Sequence, residues 1–213
     1  MKTRYMNLLT GLFAGVLLLL GPSAAATDEA ADAMINQLTT EVLAQIKADK
    51  SLRNGELARI VALVDERIMP HVNFRRMTAS AVGPGWRRAS PEQQKRLQDE
   101  FKILLVRTYA GALSQVSDQT TVAMKPMRAA ADDREVVVRS EIKTGHGDPV
   151  QLDYRLEKTP GEGRGWRIYN LNVMGVWLVE TYRSQFAQEI NAKGIDGLIG
   201  TLVERNKANE KKG

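Results

Sequence analysis

Cysteine is missing altogether, which removes disulfides, thiolate nucleophiles and Cys-based zinc or iron–sulfur sites in one step. Histidine is scarce: only His71 and His146 occur. One follows a proline and the other stands between two glycines, so neither has a partner at metal-ligand spacing. No serine sits in a G-x-S-x-G elbow. The glycine-rich stretch Gly161–Gly165 lacks P-loop spacing and reads as a hairpin loop. Asp153 and Glu157 fall on the outward face of a strand, where solvated charge is the expectation. No apolar run reaches the roughly 20 residues that a membrane-spanning helix needs. The net charge of +5 is also too small to point to nucleic acid, and Lys2 and Arg4 supply two of those charges.

What is present first is an export signal. Lys2 and Arg4 precede a 13-residue apolar stretch, Leu8–Leu20, and Ala24-Ala25-Ala26 supplies small residues for cleavage after Ala26. Residues 1–26 therefore read as a secretory signal peptide and 27–206 as one domain, with 207–213 a polar tail. With no cysteine at the cut, a lipid-anchored form is not expected. An exported chain without disulfides fits a periplasm, where the core alone holds the fold.

The mature chain divides into a helical first half, a stranded middle and a helical end. Thr27-Asp28-Glu29 offers a cap for a helix with Met34, Leu38, Val42 and Ile46 on one face. Asn54 is placed to cap a second helix, with Leu57, Ile60, Val61, Val64 and Ile68 on its stripe and Pro70 ending it. Asn73 is placed to cap a third, closed by Gly83-Pro84-Gly85. Ser90-Pro91-Glu92-Gln93 is the strongest start signal, opening a long helix through Leu97, Phe101, Leu104, Leu105 and Tyr109 to Ala112 and Val116.

Period two follows, over Thr121–Met127, Val136–Ile142, Val150–Leu156 and Trp166–Asn170. The short, turn-rich connections predict an antiparallel four-stranded meander with one face covered by helices. A helix carrying Val176, Val179, Tyr182, Phe186 and Ile190 then ends at Gly194, and Ile195–Lys207 forms the last. The fold class is α+β in a single domain.

Positive charge concentrates between Arg75 and Arg107, where eight basic residues face three acidic ones. Arg75, Arg76, Arg87, Arg88 and Arg96 lie on elements able to face solvent, which suits contact with anionic headgroups or an acidic partner.

Several stretches together resemble the MlaC family, the periplasmic phospholipid-binding component of the Mla system, also known as toluene-tolerance proteins. They are Ile68–Met77 (IMPHVNFRRM), Trp86–Gln93 (WRRASPEQ), Phe101–Leu113 (FKILLVRTYAGAL), Trp166–Asn170 (WRIYN), Gly175-Val176, Tyr182–Phe186 (YRSQF) and Lys193–Leu198 (KGIDGL). The resemblance implies an NTF2-like fold that opens between layers to take the tails of a phospholipid. It implies cargo but no cofactor, no catalysis and no nucleic acid. The implied partners of this monomer are an inner-membrane MCE-domain protein of an ABC transporter and an outer-membrane lipoprotein–porin complex.

Periodicity and resemblance together name Leu105, Tyr109, Val136, Val138, Leu152, Tyr154, Ile168, Val176, Val179 and Phe186 as the lining of the cavity. Met174 and Trp177 stand where relatives often carry Glu and Ser, and larger apolar groups there are expected to reshape the cavity. Two other readings stay open on the residues alone: an isomerase or hydrolase on the same scaffold, and a protein-binding module without a ligand.

Overall fold

The computed structural model describes residues 29–128, 130, 132–145 and 147–210, so the signal segment and His146 lie outside the described residues. Helix α1 (Ala31–Ala48) buries Met34, Ile35, Leu38 and Ile46 but begins at Ala30 with no side-chain cap. Its entry is instead pinned by Trp166, whose indole N–H donates to the Glu29 carbonyl at 3.0 Å. The short α2 (Lys50–Arg53) is capped by Asp49, which accepts from the Ser51 N–H. Asn54 closes α2 rather than opening α3 (Leu57–Leu63), whose flanking residue is Glu56.

The second helix does not stop at Pro70. It widens into a π turn over Val64–Ile68 and then tightens into a 3₁₀ turn over Met69–His71, where proline's missing N–H is tolerated. Val72 then runs beside Ile168 as a parallel bridge.

Helix α4 (Phe74–Val82) is capped by Asn73, which accepts from the Arg76 N–H at 3.0 Å. A 3₁₀ turn over Gly83–Arg88 leads to α5 (Pro91–Tyr109). Ser90 and Gln93 close the capping box there at 3.2 and 2.9 Å. Beyond Tyr109 the chain continues only as a 3₁₀ segment, Ala110–Gln115.

The sheet has five strands, not four: β1 (Thr121–Met124), β2 (Glu135–Lys143), β3 (Val150–Lys158), β4 (Trp166–Val173) and β5 (Val176–Trp177). All neighbours are antiparallel in chain order. The extra strand arises because Met174 and Gly175 both adopt positive φ, 50° and 87°. That two-residue turn folds Val176 back onto Val173 before the last helix starts.

A bulge in β4 sets Asn170 opposite Arg155 but Ile168 opposite Leu156. Up to Ile168 the covered residues pack toward α1. Past the bulge, Leu171 and Val173 face the helices, while Asn170 turns to the start of the last helix and accepts from the Val179 N–H. Alternation thus persists along β4 although the face it reports has changed.

Helix α6 (Leu178–Glu210) is two segments joined at Gly194, where φ is 71° and ψ −172°. They fold against each other, with Thr201 donating to Glu189 and Arg205 to Gln185. Glycine suits this joint because a side chain is strained at that φ. Three cores result. Helices α4, α5 and α6 enclose Phe101 and Phe186; α1 covers β2–β4; a smaller cluster joins Ile46, Leu52, Ile60 and Leu63. Among the described residues no helix is long and apolar enough to cross a membrane.

Candidate functional site

Where the three cores meet they leave a cavity of about 350 Å³, within the range of small-molecule sites. Helix α1 contributes Leu38, Thr39, Val42 and Ile46 to its wall. Helix α3 and the π turn add Ile60, Leu63, Val64 and Ile68, followed by Met69 and Val72. Phe74 and Met77 come from α4, and Lys102, Leu105, Val106 and Tyr109 from α5. Ala110 and Leu113 extend that side, the sheet supplies Leu152, Tyr154, Ile168 and Leu171, and Leu178 of α6 completes the wall.

Few polar atoms face this space. The Thr39 hydroxyl donates to the Ile35 carbonyl at 2.6 Å. Burial pushes the Tyr154 phenol up, with the Ser140 and Thr39 hydroxyls opposing the shift. Burial, and then the neighbouring Tyr182, raise Tyr109 as well. Lys102 is the one charged side chain in the wall among the described residues, and its ammonium meets Asp65 Oδ1 at 2.7 Å.

Of the ten residues expected to line a cavity, Leu105, Tyr109, Leu152, Tyr154 and Ile168 stand in this wall. The other five do not. Val136 and Val138 are packed beneath α1, because α1 covers β2 and leaves the space to β3 and β4. Val179 and Phe186 belong to the helical core, and Val176 is half exposed on β5. Met174 and Trp177 do not reach the cavity either: Met174 is 67% exposed at the hairpin tip, and Trp177 lies under the Arg155 guanidinium. The wall residues of α1 and α3 were missed because a stripe at i, i+4 reads the same over a filled core as over an open one.

The basic residues separate into two kinds. Arg76 is committed to the sheet, pairing with Glu135 and Glu157 and stacking 3.6 Å from the Tyr169 ring centroid. Arg75 lies over Trp86. Arg87, Arg88 and Arg96 are exposed and form no ion pair among the described residues.

The two carboxylates expected in solvent are also engaged. Asp153 is buried beside Gln151 and Arg139, and Glu157 accepts from Asn73 at 2.6 Å. Burial, and then the Arg164 charge, hold the His71 imidazole below its usual range, against Glu41 and Glu29. Among the described residues no three His, Asp or Glu side chains gather at metal-binding distance.

The family model for the MlaC protein matches residues 36–204, which takes in every wall residue. The chain belongs to the MlaC family. Within that family it is similar to the toluene tolerance protein ttg2D of Pseudomonas putida, 26% identical over 182 residues and 82% of each chain. It is 23% identical over 172 residues to the intermembrane phospholipid transport system binding protein MlaC of Haemophilus influenzae, covering 80% of this chain and 79% of that one. A solved phospholipid-binding protein from Ralstonia solanacearum, in complex with a phospholipid, superposes with a TM-score of 0.80 at 49% identity. That match covers 85% of this chain and 99% of the other. The MlaC fold here is thus α+β, an antiparallel sheet against helices.

Proposed function

We propose that this chain is a periplasmic phospholipid carrier that holds acyl tails in the cavity and leaves the headgroup at its rim. The observation that carries the reading is the apolar wall at the meeting of three cores, together with the 49% identity to a protein solved with a phospholipid. Each buried CH₂ is worth about 0.8 kcal/mol against water, so two tails of about 15 carbons gain on the order of 20 kcal/mol. A bilayer offers the same tails nearly the same gain. Donor, carrier and acceptor are therefore close in energy, and the carrier need only keep tails dry in transit. The charged headgroup stays wet because burying it is costly.

The same reading makes the protein a monomer without catalytic chemistry, exported by cleavage after Ala26. It exchanges lipid with an inner-membrane MCE-domain transporter and an outer-membrane lipoprotein–porin complex, and so maintains outer-membrane asymmetry. Its contact surface includes Arg75, Arg87, Arg88 and Arg96. Solvent extraction and mass spectrometry of gently purified protein test the central claim. Close to one equivalent of phospholipid is expected, and protein free of lipid would overturn it. N-terminal sequencing from the periplasm is expected to begin at Thr27; an intact Met1 there would sink the export claim.

A further inference from the structure

One charge in an otherwise apolar wall requires a reason, since an unpaired ammonium there is costly. Lys102 lines the cavity and its ammonium pairs with Asp65 at 2.7 Å, the two side chains being 24% and 45% exposed. Asp65 belongs to the π turn, a geometry rare in proteins and often found at functional sites. The same turn sends Val64 and Ile68 into the cavity wall. The ion pair therefore stands where wall becomes surface, and it links α5 to the π turn across that boundary.

We infer that Lys102 is the phosphate contact of the bound lipid and that Asp65 holds its ammonium when no phosphate is present. The inference rests on the carrier reading and adds to it a headgroup subsite. Tails that fill the cavity bring the phosphodiester out at the rim, where Lys102 is the wall's one cation among the described residues. Partly exposed carboxylate–ammonium pairs are weakly held, so exchanging the carboxylate for a phosphate oxygen is a small step. The long, flexible lysine stem lets the ammonium make that exchange without moving either helix. The subsite reads the phosphate shared by all phospholipids, not any one headgroup.

The test offers the mature protein vesicles containing equal phosphatidylglycerol and diacylglycerol with identical tails. The ratio loaded is then read by mass spectrometry. Comparing each variant with wild type cancels the lipids' different tendencies to leave the vesicle. Lys102→Met keeps the apolar stem and is expected to lower the phosphatidylglycerol preference about tenfold while diacylglycerol still loads. Asp65→Asn frees the ammonium and is expected to keep or raise the wild-type ratio. An unchanged ratio in Lys102→Met would overturn the subsite while leaving the carrier reading intact. If Asp65→Asn loses the preference as Lys102→Met does, the ion pair is structural and the inference fails. Wild type that loads neither lipid would overturn the carrier reading itself.

Discussion

Helix α5 has two adjoining apolar faces, one against a filled core and one against the cavity. On one, Phe101 is fully buried against three aromatic rings, with Tyr182 and Phe186 meeting it edge-on at 4.9 and 5.2 Å and Phe74 tilted at 5.8 Å. On the other, Leu105, Val106 and Tyr109 are half-buried and look into open space. Residue type does not separate the two faces; both are apolar and aromatic. What separates them is whether the opposing elements interlock. The aromatic core fixes how α4, α5 and α6 pack, and the cavity lies beside it at the junction with two other cores. Capacity is thereby kept apart from stability, since widening a junction between cores breaks none of them.

The sharpest way to break that comparison sets Val138→Asp against Leu152→Asp. Val138 is fully buried under α1, and an unpaired carboxylate there is expected to abolish folding. Leu152 faces the cavity from the next strand, so its variant is expected to remain folded and lose most of its phospholipid. Circular dichroism and extracted lipid measure the two outcomes. Equal unfolding in both would mean that the wall is core like any other.

Next come Phe101→Ala and Leu105→Ala, four residues apart on α5. The first is expected to cost about 3–5 kcal/mol in urea denaturation and the second under about 2, because Leu105 already borders a space. Similar losses would erase the distinction between faces.

A smaller effect is expected at the exposed pair beyond the aromatic core. Reversing Arg87 and Arg88 to Glu is expected to slow lipid delivery to anionic vesicles several-fold at low salt and leave extracted lipid unchanged. Raised salt is expected to slow wild type in the same way, as the screening length shortens from about 8 Å. A salt-independent, unaltered rate would return this corner to ordinary surface.

The smallest effect concerns His71, beside the wall residues Met69 and Val72. Its folded pKa lies below the ordinary 6.5, so the unfolded chain takes up the proton first as pH falls. Its contribution to stability is present above pH 6.5 and is lost below it. Urea midpoints are expected to fall modestly from pH 7 to pH 5.5 in wild type and less in His71→Gln. A slope unchanged in the variant would assign the effect to other groups.

Features set by a few neighbouring residues were legible in the sequence. The Asn73 cap, the Ser90 capping box and the break at Gly194 each follow from local backbone requirements. The two-residue strand β5 was not, because Val176 also continues the apolar stripe of α6 and two residues have no period. The bulge in β4 was hidden by its own success, since burial alternates on either side of it for different reasons. Half the predicted lining proved to be packed core or exposed strand. Periodicity says which way a side chain points, and only the distance between elements says whether something already fills that place.

Strand β4 has its outer edge covered in two pieces, by Val72 beside Ile168 and by β5 at Asn172 and Val173. Unpaired backbone along a sheet edge is a template on which another chain adds a strand, the first step toward aggregation. A protein that carries an open apolar cavity among many copies of itself is exposed to that hazard twice. Here a second copy finds no continuous edge on β4, and on the far side β1 pairs along Ser140–Lys143 of β2. Pairing along this edge is thus broken into short lengths, which leave a sister molecule little continuous backbone to extend.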